Sequence, residues 1–356
     1  MPFEVNRGRR HFLGAAAMAM NSLPWKWFRF PNADLPIEGS MPSLRGASGW
    51  LNSAQIDREN LRGKVTLVDF WTYSCINWRR TLPYLRAWVK KYQEHGLVVV
   101  GVHSPEFQFE KNIQNVGQAA KSMMIDYPIA VDSDLAIWRD FSNQYWPALY
   151  LIDAKGRIRH RKFGEGDYDK SEYAIQQLLA ENGAAGFDHS LALVEASGAE
   201  LGADWRDLRS GENYLGYERT ENFASRGGYI WDKRHTYASP PELLLNHWAL
   251  AGEWTARKQS ISLEAGDGRI AYQFHARDLH LVMGPREQGR KVRFRVNLDG
   301  HVPLSAHGVD TDSQGFGTVE EPRMYQLIRQ QPPIIPRRFE IEFLEPGAEA
   351  YSFTFG

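Results

Sequence analysis

Residues 68–88 read VDFWTYSCINWRRTLPYLRAW. The stretch opens as a compact apolar strand pattern and continues as a helical one, so Cys75 falls at the turn where a strand ends and a helix begins. At such a turn the unpaired backbone N–H groups and the positive end of the helix dipole favour thiolate over thiol, which predicts a lowered pKa and a nucleophilic sulfur. Cys75 is the one cysteine in 356 residues. That count excludes an intramolecular disulfide framework and any multi-cysteine zinc or iron–sulfur site, and no metal or cofactor is expected. Any thiol chemistry must pass through this atom.

Around this turn, residues 61–160 alternate strand patterns with helical ones, the signature of an α/β layer structure. Strands are expected at 65–70 (VTLVDF), 97–102 (LVVVGV) and 148–152 (ALYLI). Between the first two, Leu82, Leu85, Val89 and Tyr92 recur at helical spacing over 77–95, and Gly96 stands where a helix stops. Lys155-Gly156 after Asp153 marks a hairpin into 157–162, so the sheet should finish antiparallel, with a helix over 171–179 closing the unit. Residues 184–245 have weak periodicity and read as a connector, yet aromatics such as Trp205, Tyr214, Tyr217, Phe223 and Trp231 predict that it packs on something. Beyond Trp248, alternating strand patterns at 269–275, 280–283, 291–298, 324–329, 338–343 and 351–355 predict an antiparallel sandwich.

The length allows two domains. An apolar fraction of 43%, a charged fraction of 24% and a formal net charge of −1 give no electrostatic reason to expect nucleic acid or an anionic membrane as partner. Past the N-terminal segment no run of about 18 apolar residues occurs, so no membrane span is expected there. Asp310-Thr311-Asp312 with Gly315 hints at a calcium loop but lacks the later bidentate Glu, so a plain turn is expected. His301 and His307 match no metal geometry and read as solvated loop histidines. Trp248 and Trp254 could present a sugar-stacking platform or pack in the core.

Asp69, Trp71, Cys75 and Pro83 stand at the offsets seen in thioredoxins, and Tyr145-Trp146-Pro147 is similar to the segment that holds a cis proline against the active cysteine of those proteins. Further marks are GVHSPEFQFEKN, NQYWPALYLIDAKGRIR, FGEGDY, NYLGYERTENFAS, YQFHARDLHLVMGP and FEIEFLEP. On these, residues 40–356 resemble the exported C-terminal half of DipZ-type thiol:disulfide reductases, within the thioredoxin-like (redoxin, TlpA-like) family. The resemblance implies an α/β thioredoxin-like domain over 36–183, a structured connector over 184–245, and an all-β jelly-roll sandwich similar to carbohydrate-binding modules over 246–356. It implies Cys75 as nucleophile, Pro147 as the contact to substrate backbone, Asp69 and Trp71 as supporting residues, and Trp146, Trp78 and Thr72 on the substrate side. The implied partners are protein disulfides or small thiols, a separate membrane reductase as electron donor, and a glycan at the sandwich.

The departure from that family lies in the motif itself. Thioredoxin-type reductases use C-x-x-C, in which the second cysteine expels the reduced product by closing an internal disulfide. Here the motif is Cys75-Ile76-Asn77-Trp78, so a mixed disulfide at Cys75 can be released only by an outside thiol, and exchange would be monothiol. Asp69 would lose its proton-transfer partner and survive as a hydrogen-bonded core group, while Trp78 must either fill space near Cys75 or force repacking. Two rivals stand beside this reading. Thr72-Tyr73-Ser74-Cys75 fits the T-x-x-C core of single-cysteine antioxidant peroxidases, although Val68 replaces their proline. Alternatively, the first domain is a catalytically retired scaffold and the sandwich binds a glycan or a protein. Finally, Arg9-Arg10, a spacer, Phe12-Leu13 and a mildly apolar run over 15–20 resemble a twin-arginine export signal over 1–30, which implies a periplasmic protein, anchored if the signal is retained.

Overall fold

Seven strands make the first sheet: β1 (Gly39–Ser40), β2 (Gly49–Leu51), β3 (Val65–Trp71), β4 (Leu97–His103), β5 (Ile129–Val131), β6 (Ala148–Ile152) and β7 (Arg157–Phe163), in the spatial order β1-β7-β6-β3-β4-β5-β2. The strands β3, β4 and β5 run parallel, and β6 and β7 join antiparallel on the other side of β3. Every residue of β3 is buried, as an apolar strand covered on both faces must be. Val68 and Phe70 point into a cluster with Val102, Ile137, Phe141 and Tyr150, while Asp69 and Trp71, on the alternate face, meet Trp78. The computed structural model describes residues 34–356; the export signal expected over 1–30 lies outside the described residues.

Among the described residues five helices accompany this sheet: α1 (Arg58–Leu61), α2 (Ile76–Tyr92), α3 (Ile113–Ser122), α4 (Ala136–Asp140) and α5 (Tyr168–Glu181). The expected helix after Cys75 is α2, extended by a short 3-10 turn that ends at Gly96, whose φ of +98° is open only to a residue without a side chain at little cost. Its buried stripe runs through Trp78, Leu82, Leu85, Trp88 and Tyr92, so Trp88 rather than Val89 faces the core. The hairpin at Asp153 forms as expected. Its carboxylate accepts from the backbone N–H of Lys155 and of Arg157, and Gly156 takes the left-handed position.

The remaining strands are β8 (Asn213–Tyr214), β9 (Arg234–Tyr237), β10 (Trp248–Ala256), β11 (Ile261–Leu263), β12 (Gly268–Phe274), β13 (Asp278–Pro285), β14 (Val292–Leu298), β15 (Phe316–Val319), β16 (Arg323–Arg329), β17 (Arg337–Phe343) and β18 (Ala348–Phe355). They form an antiparallel β-sandwich around one large apolar core. One layer has the order β15-β14-β17-β12-β10 and the other β10-β11-β18-β13-β16. Strand β10 belongs to both: Trp248 to Ala251 pair with β12, whereas Gly252 to Thr255 pair with β9. The change of partner falls at Gly252, φ +92°, where the missing side chain lets the strand turn the corner.

One expectation is corrected here, one open alternative is decided, and one turn is seen as expected. The stretch 184–245 is more than a connector, because β8 and β9 complete the sandwich by pairing with β18 and β10. Trp248 and Trp254 are fully buried, so neither can stack on a sugar; their apolar rings are worth more inside the core than at its surface. Asp310 and Asp312 serve the protein's own turn. Asp310 pairs with Arg323, and Asp312 accepts from the N–H groups of Gln314 and Phe316.

Residues 36–356 make one compact unit. Where the sheet-and-helix part meets the sandwich, Ile76 and Phe107 pack against Val282, Met324 and Tyr351. Beside them the buried Arg80 donates to Glu165 Oε1 at 3.0 Å and to the carbonyl of Phe355 at 2.9 Å. The last strand of the sandwich is thereby tied to the first helix after the cysteine.

Candidate functional site

Cys75 is the N-cap of α2 and half-buried. Its backbone N–H donates to the carbonyl of Thr72 at 3.2 Å, which closes the turn out of β3. Its sulfur lies 4.0 Å from the carbonyl oxygen of Trp146, and the Trp146-Pro147 peptide is cis. Sulfur, helix tip and proline segment are therefore together, as the resemblance to thioredoxins implied. Trp146 is half-buried, its ring centroid 4.2 Å from that of Trp138 and its Nε1 donating to the carbonyl of Ser104; Pro147 is buried.

Trp78, three residues after Cys75 where a C-x-x-C motif has its second cysteine, lies within the continuous helix α2. It is fully buried, stacks on Trp71 with ring centroids 4.4 Å apart, and its Nε1 donates to Asp69 Oδ2 at 2.9 Å. The indole replaces a reactive group by a hydrogen-bonded one. Burial pushes the Asp69 carboxyl up to about 7, and the bond from Trp78 pulls the other way without winning. Gly101 on the neighbouring strand leaves room for this stack, since a Cβ there would come within 2.8 Å of Trp71 Nε1. Trp71, Trp78 and Thr72 have no exposed surface, so Thr72 and Trp78, expected on the substrate side, lie beneath it and support the turn instead.

The expected activation of the thiol is reversed. Burial holds the Cys75 thiol well above its ordinary value, the carboxylates of Glu212 and Glu106 add to that, and the N–H groups of Trp78 and Asn77 at the helix tip oppose it. The donors foreseen at the turn are present. Desolvation and two like charges outweigh them, because each disfavours the anion directly.

Several groups in this environment were not foreseen. Glu110 is buried behind the turn, where Oε1 accepts from the Ser74 hydroxyl at 2.6 Å and Oε2 from the N–H groups of Glu106 and Phe107. His103 lies edge-on to Trp71 and stacked on Tyr73, and burial drives its pKa down to about 3, so it is neutral. Glu212, Tyr214 and Arg219 arrive from the far part of the chain. The stretches GVHSPEFQFEKN, which carries His103 and Glu110, and NYLGYERTENFAS, which carries Tyr214 and Arg219 and which Glu212 directly precedes, stood out only as marks of resemblance; no local pattern assigns these residues a role. Among the described residues no cluster of His, Cys, Asp and Glu is arranged to hold a metal ion, and no helix is long and apolar enough to cross a membrane.

Residues 40–161 match the AhpC/TSA family, and residues 210–356 match the family described as thioredoxin like C-terminal domain. Over 332 residues the chain is 40% identical to Protein DipZ of Mycobacterium tuberculosis, covering 91% of this chain and 44% of that protein. The chain thus spans under half the length of the DipZ proteins it matches. It is 37% identical over 148 residues to Thiol-disulfide oxidoreductase YkuV of Bacillus subtilis, covering 41% of this chain and 99% of that one. A solved structure described as a thioredoxin-like protein in the oxidized form is 36% identical, with a TM-score of 0.38, over 40% of this chain and 96% of its own.

Proposed function

The chain belongs to the thiol–disulfide oxidoreductase family, and from that premise we propose that it is a monothiol member in which Cys75 alone exchanges with the disulfide of a protein or small-molecule partner. The observation that carries the proposal is the sole thiol of the chain, half-buried 4.0 Å from the Trp146 carbonyl, with a hydrogen-bonded tryptophan where the resolving thiol of a C-x-x-C motif would stand. Cys75 is the nucleophile. The Trp146-Pro147 segment is the surface met by the partner's backbone, and Asp69 and Trp71 hold Trp78 and the turn in place. Without an internal resolving thiol the mixed disulfide persists until an external thiol, or a separate membrane reductase acting as donor, removes it. Export to the periplasm through the twin-arginine segment supplies the oxidising compartment this chemistry needs; replacing Arg9 and Arg10 together by lysine should leave the protein in the cytoplasmic fraction.

The test is incubation with a small disulfide followed by intact-mass measurement. One adduct per chain should accumulate, survive removal of the disulfide and disappear on adding a thiol. No adduct should form on the Cys75→Ser variant. Failure of any adduct to form on the parent chain would overturn the proposal.

The raised thiol favours a second reading, a retired scaffold whose sandwich does the binding. On that reading Cys75 alkylation stays negligible until the pH reaches about 9 or more. A glycan partner would then be met by exposed aromatics. Trp231, 60% exposed and stacked on Tyr217, is the residue to replace in a glycan-binding measurement. The single-cysteine peroxidase is distinguished in the same vessel, because peroxide would then consume the Cys75 thiol faster than a disulfide does.

A further inference from the structure

Four polar side chains from distant parts of the sequence converge on the approach to Cys75: Glu106, just after β4, and Glu212, Tyr214 and Arg219, around β8. The Tyr214 hydroxyl bridges Glu106 Oε1 at 2.5 Å and Glu212 Oε2 at 2.9 Å, with one hydrogen to share between two carboxylates. Arg219 donates to the same oxygen of Glu106 at 2.9 Å and lies over the Tyr214 ring, 3.5 Å from its centroid. The arrangement is anchored to the cysteine turn from two sides. Glu110 binds the Ser74 hydroxyl and the N–H of Glu106 at once, and Tyr214 packs on the apolar cluster that contains Ile76. Among these four side chains there are two carboxylates to one guanidinium, and the fields of both carboxylates reach the sulfur.

Resting on the monothiol reading above, we propose that Glu106 and Glu212 make the site selective for partners that carry positive charge beside the reacting sulfur, with Arg219 setting the strength of that preference. The physical reason is that opposite charge raises the local concentration of partner at a partly desolvated site and like charge lowers it. A cationic partner does a second thing. By standing against Glu106 and Glu212 it offsets the charge that disfavours the Cys75 thiolate, so the partner itself makes the nucleophile more available. In the step that follows, the Cys75 thiolate attacks one sulfur of the disulfide R–S–S–R. The Cys75–S bond forms as the S–S bond breaks, and the departing R–S⁻ takes up the proton that Cys75 released. One thiol and one disulfide become a mixed disulfide and a new thiol, with no other oxidant or reductant required.

The experiment uses the whole chain and three disulfides of similar size: cystamine, cationic; hydroxyethyl disulfide, neutral; and dithiodipropionate, anionic. Because Cys75 is the only cysteine, loss of free thiol reports its reaction alone. At low ionic strength cystamine should react on the order of tenfold faster than dithiodipropionate, with the neutral reagent between them and the spread collapsing in high salt. Glu212→Gln should shrink the ratio, and Arg219→Gln should enlarge it. The neutral reagent reports any general loss of reactivity or fold. Reaction with all three at equal rates, or a ratio that neither substitution moves in its stated direction, overturns the selectivity and leaves monothiol exchange standing. Reaction with none of them overturns both.

Discussion

On the monothiol reading, Trp78 is the residue on which the chemistry turns. A thiol in its place would sit one helical turn along α2 over a buried carboxyl; the indole instead fills that space and gives Asp69 a permanent donor. Trp78→Cys should therefore restore a two-thiol motif and raise turnover in a dithiol reductase assay above that of the parent. The same change should cost about 3–5 kcal/mol of stability for the lost ring and the cavity it leaves, read from denaturant midpoints. No gain in turnover would mean that more than the second thiol is missing. Asp69 carries a separate prediction. Its carboxyl is raised in the folded protein, to about 7 from 3.8, so its contribution to stability is fully present below the unfolded value and is lost as pH rises through the folded one. Asp69→Asn is neutral throughout and its side-chain oxygen can still accept from Trp78. The stability of the variant relative to the parent should grow between about pH 4 and pH 7, by at most about 1.4 kcal/mol per pH unit, then level off.

At the scale of elements, α2 does two jobs whose requirements differ. Its first turn presents the sulfur, which needs an open approach, and its body is clamped between the sheet and the sandwich. Arg80 forms the clamp: 2% of its side chain is exposed, and it holds both Glu165 and the carbonyl of Phe355 in β18. Replacing Arg80 by Met removes the partner of a carboxylate that is itself 9% exposed, and a buried charge without its partner is costly. The expected loss is about 3–5 kcal/mol in denaturant unfolding. Glu165→Gln should cost less, since it keeps an acceptor for Arg80 and leaves the Phe355 contact intact. Equal losses from the two would show that the pair's charge, rather than its hydrogen bonds, carries the clamp.

For the whole molecule, the two halves share one apolar seam at Ile76, Phe107, Val282, Met324 and Tyr351. Each half also buries a neutral histidine: His103 on β4 and His280 on β13, both driven down to about 3 by desolvation. A histidine lowered in this way contributes stability that is present above its unfolded pKa, about 6.5, and is lost as pH falls from there toward 3. Two such groups outweigh the opposite slope of Asp69. The parent should therefore lose stability on acidification below about pH 6.5, and His280→Asn, which keeps a donor for the Thr354 carbonyl, should flatten the acid limb by up to about 1.4 kcal/mol per pH unit. Unfolding midpoints across that range check this; an unchanged slope would place the acid sensitivity elsewhere.

Read alone, the sequence determined the strands at 65–70, 97–102 and 148–152, each within a residue of its observed end, the helix after Cys75, the hairpin at Asp153 and the antiparallel character of the second half. These follow from local rules, since side-chain period and turn chemistry act between residues close together in the chain. It also determined that only one thiol exists and that Trp78 stands where a partner thiol would be needed. Tertiary structure decided what that thiol is worth. The helix-tip donors that favour a thiolate are local and were legible; the burial and the carboxylates of Glu106 and Glu212 that overrule them depend on segments more than a hundred residues apart meeting at one atom. Likewise, periodicity left Trp248 and Trp254 undecided between surface and core, and the corner of β10 at Gly252 closed them inside. Desolvation and charge are sums over everything nearby in space, and nearness in space is what the order of residues does not state.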